Sequence, residues 1–243
     1  MKKYLIALAA MAVAVSSCTE KIPSEDNQPE KTKLLRKCTL TDSEGYTLSQ
    51  TFTYDQNNRV AVSIQSYGEQ ASTTWSYSDD NVLEKNGSNT TLYTFQGDRL
   101  LSCGQNCQYY YDNQSSKPTG CTLGNSSYQY VWTNGDVTKR QDGNDYVIYC
   151  TYTDKVNKCN LQVDHTETSL FYMDFIDRNV FGCLANKHLI STRTYTYPGG
   201  ESVVTETWLH QLDADGYPVE MNCVVSHGDS SDGVFTISLE YYD

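Results

Sequence analysis

TLSQTFTYDQNNRVAVSI, residues 47–64, decides the fold. Leu48, Phe52 and Tyr54 take alternate places among Thr47, Ser49, Thr51 and Thr53, so one side of the segment is apolar and the other carries hydroxyls. Alternation with a period of two marks a half-buried β-strand. Asp55 to Asn58 then break the pattern with turn-forming residues, and Val60, Val62 and Ile64 resume the apolar side after them. Strand, polar turn and strand together read as a β-hairpin.

The same unit recurs at WSYSDDNVLEK from Trp75, YTFQGDRLLS from Tyr93, YVWTNGDVTK from Tyr130, YCTYTDKVNKCNL from Tyr149 and LDADGYPVEM from Leu212. Turns fall near Asp55, Asp79, Gly97, Asn113, Asn134, Asp154 and Asp213, with Gly216 supplying a positive φ in the last. The spacing of roughly 16 to 24 residues from Asp55 to Asp154 matches one hairpin per repeat, and with the last pair around Asp213 to Pro218 predicts about fifteen to seventeen strands. The expected fold is all-β: a large antiparallel meander of repeated hairpins curled into one barrel-like sheet. Residues 166–186 break the period, because Leu170, Phe171, Met173, Phe175, Ile176, Val180 and Phe181 recur at spacings nearer three and four. A short helix or a compact loop is expected there.

Lys2 and Lys3 precede an apolar run from Tyr4 to Val15, too short to span a bilayer and typical of an export leader. Val15, Ser16, Ser17 and Cys18 follow and resemble a lipobox, which would make Cys18 the lipidated first residue of the mature chain. Residues 18–32 hold Thr, Glu, Lys, Pro, Ser, Asp, Asn and Gln with hardly an apolar side chain, the composition of a flexible tether. The expected organisation is a leader over residues 1–17, a tether over 18–32 and one β domain over 33–243, anchored through lipid to the outer membrane on its periplasmic or cell-surface side. A net charge of −12, made more negative by loss of Lys2 and Lys3, excludes nucleic acid as a partner. Such a partner needs a basic face to neutralise phosphates.

Nine cysteines include eight beyond Cys18: Cys38, Cys103, Cys107, Cys121, Cys150, Cys159, Cys183 and Cys223. An exported chain with this many permits disulfides. If residues 112–117 turn a hairpin, Cys107 and Cys121 fall nearly opposite one another and can bridge. Cys103 and Cys107 form the competing pair, and buried reduced thiols are the third reading.

FTYDQNNRVAVSI, YTFQGDRLLS and LDADGYPVEM share an aromatic or aliphatic residue, a polar turn, and an aliphatic continuation, and resemble YD-type repeats. Together with the lipobox-like run and the closing stretch from Ser191, the chain is similar to gut-bacterial lipoproteins of unknown function described as having a porin-like fold. The resemblance covers about residues 33–243 and implies architecture, with no catalytic residues to carry over. The cysteine content departs from it. A membrane-embedded pore fits poorly, since spanning strands need about 9 to 11 residues with a continuous apolar row facing lipid.

No GxSxG, HExxH or phosphate-cradling glycine loop is present, and no catalytic residue, metal site or cofactor is expected. Among His165, His188, His210 and His227, only His165 lies between close acids, Asp164 and Glu167, a trio more often found in a solvated loop than on a metal. Asp213, Asp215 and Gly216 start like a calcium loop, but Tyr217, Pro218 and Val219 stand where further ligands belong. The strongest compositional feature is 20 tyrosines with three tryptophans. Alternation places Tyr128, Tyr130 and Trp132 on one face of one strand, and Tyr146, Ile148, Cys150 and Tyr152 on one face of the next long strand. These rings are either a platform for a sugar or a partner's side chain, with Tyr128, Tyr130, Trp132 and Tyr152 as contacts, or plain core. The leading expectation is a lipid-anchored binding module for a glycan or peptide. Its rivals are a structural envelope component and a hydrolase.

Overall fold

The computed structural model describes residues 32–67, 69–113, 115–143, 146–159, 161–162, 174–175, 184–197, 203–228 and 230–242. The leader, Cys18 and the tether lie outside the described residues, as do Cys183, His165 and nearly all of the segment 166–186. The strands are β1 (Leu35–Asp42), β2 (Thr47–Tyr54), β3 (Val60–Tyr67), β4 (Glu69–Tyr77), β5 (Asn81–Asn86), β6 (Asn89–Gln96), β7 (Arg99–Cys103), β8 (Cys107–Tyr110) and β9 (Gly120–Leu123). They continue as β10 (Ser126–Thr133), β11 (Asp136–Asp142), β12 (Tyr146–Val156), β13 (Leu161–Gln162), β14 (Asp174–Phe175), β15 (His188–Thr196), β16 (Val203–Leu212), β17 (Pro218–His227) and β18 (Ser230–Tyr241). Sixteen of them form one closed antiparallel barrel in chain order, with β1 meeting β18 and β12 meeting β15. β13 and β14 pair separately. The barrel unit runs Lys33–Asp243.

The alternation seen in the sequence becomes an inside and an outside. Outward positions on β1 and its neighbours carry Thr39, Thr41, Ser49, Thr47, Ser238 and Thr236 in matched register. The outward rows of β12, β15 and β16 are similar, with Thr151, Thr192, Thr194, Thr205 and Thr207 side by side. Two of these hydroxyls, on Thr151 and Thr192, lie 2.6 Å apart. Apolar residues on the outside include Ile64, Val131 and Leu209, set among polar neighbours, and the paired Leu83 and Leu92.

Sixteen strands on a circular section enclose a water-filled channel. Here the interior along β1, β2 and β16–β18 is filled instead by Leu40, Phe52, Trp208, Met221, Cys223, Ile237 and Leu239, while Trp75 of β4 and Tyr152 of β12 pack against the same cluster.

Two sequence expectations change. A bulge between Thr53 and Tyr54 sets Tyr54 opposite Val60 but Thr53 opposite Val62. One extra residue switches every later side chain to the other face. Ser63 therefore points inward and is buried, while Val62 and Ile64 belong to the outer row and Ile64 is exposed. The turn expected near Asp154 begins only at Asn157, because β12 continues through Val156.

One rim of the barrel is fastened by a repeated device. The last aromatic or imidazole of an outgoing strand donates a hydrogen bond to a carbonyl at the start of the strand before it. Tyr54 reaches Leu35, Tyr77 reaches Val60, Tyr111 reaches Leu100 and Tyr152 reaches Val137 at 2.7 to 2.8 Å. Tyr241 reaches Pro218 at 2.7 Å, the Trp132 indole reaches Pro118 at 2.7 Å and His210 Nε2 reaches Ile190 at 2.6 Å. The β5–β6 pair has Phe95 at the matching place, and its backbone N–H bonds Asp80 instead. Three latches also carry a stacked cation from the start of the neighbouring strand: Arg59 on Tyr77, Arg99 on Tyr111 and Lys117 on Trp132.

Loops complete the same rim. Asp136 accepts from the His188 backbone N–H at 2.8 Å and faces its Nδ1 at 2.7 Å. Lys33 pairs with both Asp213 and Asp215, and Lys158 donates to the Asp215 carbonyl. The Asp213 carboxylate also caps its own turn by accepting from the N–H groups of Asp215 and Tyr217. The segment that begins like a calcium loop is thus a β-turn closed by a lysine.

Candidate functional site

Inward-facing residues on the β9–β16 wall form two cross-strand rows near the rim opposite the latches. The first runs Cys121, Tyr128, Asp142 and Tyr146. The second runs Tyr130, Arg140, Ile148, Tyr195 and Val204. The aromatic rows of β10 and β12 expected from the sequence do share the interior face, but β11 lies between them and inserts Arg140 and Asp142.

At this mouth Tyr146 is a buried floor, with its ring 6.1 Å from that of Tyr195 and 6.0 Å from that of Tyr197. Tyr197 is 40% exposed. The Arg140 guanidinium lies 4.5 Å from the centre of the Tyr128 ring, and both Arg140 and Asp142 are buried. The hydroxyls of Tyr128 and Tyr197 have no hydrogen-bond partner among the described residues.

Deeper in, Glu206 is the hub of a closed network. Arg193, its register partner on β15, donates through Nε at 2.9 Å and a terminal nitrogen at 2.6 Å to the same carboxylate oxygen. The Trp208 indole adds a bond at 3.2 Å, and Tyr195 bonds the other oxygen at 3.1 Å. Burying either charge alone is costly, so the pair and its donors fold together. Burial pushes the Tyr195 hydroxyl above its ordinary range against the pull of Arg193, so it remains a proton donor to Glu206.

The four aromatics singled out from the sequence divide in two. Trp132 and Tyr152 spend their polar tips on latches, and the Tyr130 hydroxyl lies 3.2 Å from Cys121 Sγ. Tyr128 is half-buried beside Arg140 with its hydroxyl open. Tyr146, which alternation places on the face of Tyr152, lies in the same inward row, and Tyr195 and Tyr197, which no local motif marks, pack against it. The signal was the tyrosine at the start of β12 and the pair near the end of TRTYTY, which only the β12–β15 register brings together.

The cysteine register differs from expectation. β8 and β9 do form a hairpin, but Cys107 lies opposite Leu123 and Cys121 opposite Tyr109. No disulfide joins the described cysteines to one another. The connection over residues 111–119 displaces the pairing by two places, which keeps both thiols inside but removes them from direct opposition. Cys103 and Cys107 are the pair that face each other.

No group of His, Cys, Asp or Glu able to hold a metal ion occurs among the described residues. The contacts of Asp136 with the backbone and ring of His188 tie β11 to β15.

No family model matches the chain, and no curated protein does. Solved structures do. A porin-like protein from Bacteroides uniformis superposes with a TM-score of 0.64 at 16% identity, over 86% of this chain and 98% of the other. A porin-like protein from Bacteroides vulgatus gives a TM-score of 0.57 at 13% identity, over 86% and 99%. At such identities the likeness is one of fold: this chain has the closed all-β architecture of porin-like proteins of Bacteroides.

Proposed function

We propose that the protein is an exported, lipid-anchored component of the cell envelope whose barrel stands in water and binds a glycan at its tyrosine-lined mouth. The anchor rests on Lys2, Lys3, the apolar run and Cys18, and the watery setting on the Thr- and Ser-rich outer rows. A lipid-facing wall requires an unbroken apolar band at these outer positions.

The observation that carries the binding reading is the contrast between rims. Aromatic tips at the latched rim are committed to backbone carbonyls, while the hydroxyls of Tyr128 and Tyr197 at the opposite mouth have no partner among the described residues and lie beside packed rings, a buried cation and a buried acid. Rings of this kind stack on the apolar faces of sugars, and Arg140 and Asp142 offer a donor and an acceptor to sugar hydroxyls. Peptide is the rival ligand.

The test is titration of the purified protein with a panel of plant and host oligosaccharides, followed by tyrosine fluorescence. At least one saccharide is expected to saturate, with about fivefold weaker binding in Tyr197→Ala, equivalent to a stacking contact of about 1 kcal/mol. Tyr149→Ala, on the outer face, is the control. A flat response to the whole panel rejects the glycan reading.

A further inference from the structure

Cys103, Cys107 and Cys121 converge inside the wall formed by β7, β8 and β9, on the interior face that also carries Tyr93, Tyr109 and Tyr130. Cys103 and Cys107 are direct register partners across the turn at Gly104. Cys121 sits diagonally, since its own partner on β8 is Tyr109. The Cys121 thiol lies 3.2 Å from the Tyr130 hydroxyl.

Sheet geometry ranks the two pairings. Residues directly opposite in an antiparallel pair have Cα atoms about 4.5 to 5.5 Å apart, inside the range a disulfide spans. Diagonal neighbours stand about 7 to 8 Å apart, beyond it without backbone movement. Gly120, next to Cys121, opposes that movement, because its backbone lies so near Tyr128 that a Cβ there would meet the Tyr128 carbonyl at 2.5 Å.

We propose that Cys103 and Cys107 are a reversible dithiol–disulfide pair, with Cys121 remaining beside the Tyr130 hydroxyl as a reduced third thiol. The oxidant is a disulfide, small or protein-borne. The Cys107 thiolate attacks one sulfur of it, forming a mixed disulfide and expelling the other half as a thiolate. The Cys103 thiolate then attacks the Cys107 sulfur and expels the second half. Two protein thiols are oxidised, one external disulfide is reduced to two thiols, and the protons pass to those products. Cys107 is suited to the first step. Hydrogen bonds from Cys103 and then Cys121 pull its thiol below the ordinary range against the effect of burial, while the same contact pushes Cys103 up. A thiolate, rather than a thiol, is the attacking species.

The test starts from full-length protein isolated without reductant. It is equilibrated in mixtures of oxidised and reduced glutathione, alkylated, and cut with chymotrypsin. Cleavage after Tyr109, Tyr110 or Tyr111 separates Cys103 and Cys107 from Cys121. The expected product under oxidising ratios is a single peptide holding Cys103 and Cys107, unalkylated and lighter by two hydrogens, which becomes doubly alkylated under reducing ratios. Cys121 is alkylated throughout. Cys121→Ser should keep the loop and Cys103→Ser should abolish it. A peptide cross-linked through Cys107 and Cys121 would overturn the proposal, and so would full alkylation of Cys103 and Cys107 at every ratio. Neither result depends on glycan binding.

Discussion

A single hydroxyl or carboxylate decides much of this barrel. Each latch replaces two hydrogen bonds to water with one inside the protein, a net gain of about 1 kcal/mol. Tyr77→Phe is therefore expected to lower unfolding free energy by about 1 kcal/mol in denaturant titration, whereas Tyr149→Phe, on the exposed outer row, should change it by less than about 0.5 kcal/mol. Glu206→Gln is expected to cost about 3 kcal/mol, because the guanidinium of Arg193 then stays buried without its counter-charge. His210 sets the pH response. Burial holds its imidazole below the ordinary value, and Nδ1 has no partner among the described residues. The unfolded chain thus takes up the proton first, so stability is complete above about pH 6.5 and falls as pH drops from there toward the folded value. The melting temperature should decline over that window, and His210→Gln should flatten the decline. Asp55 and Asp213, held low by Arg59 and Lys33 against desolvation, act only at more acidic pH.

Elements were legible where alternation and turn chemistry agree. Thr47 to Tyr54 reads correctly as a strand, and the turns at Asp55, Gly97 and Asn134 fall where Asp, Gly and Asn place them. Pairing offsets were not legible. The bulge at Tyr54 hides Val62 and Ile64 on the outside, and the length of the 111–119 connection, rather than any property of Cys107 or Cys121, fixes which thiols oppose. The meeting of Tyr146 with Tyr197 follows from β12 pairing with β15 after an excursion of some thirty residues, which no local pattern encodes, whereas Arg193 and Glu206 meet through the register of the β15–β16 hairpin. Close approach between strands gives a test at this scale. Gly120→Ala places a methyl against the Tyr128 carbonyl and should cost about 1 to 3 kcal/mol by forcing β9 and β10 apart. It should also weaken saccharide binding through Tyr128. Unchanged stability would contradict the β9–β10 register.

At the scale of the whole molecule, the barrel is a closed sheet with a fastened rim, a filled half and a tyrosine mouth. Closure leaves the sixteen barrel strands without an edge to pair with a neighbour. The outer rows carry hydroxyls where a membrane-embedded barrel carries apolar side chains, and this contrast is what motivates the proposal of a lipid anchor on Cys18. Fractionation without detergent tests that most directly. The parent protein is expected with the membranes, and Cys18→Ala is expected in the soluble fraction as a folded barrel with a cooperative thermal transition. Recovery of Cys18→Ala with the membranes, released only by detergent, would contradict an anchored, water-facing barrel.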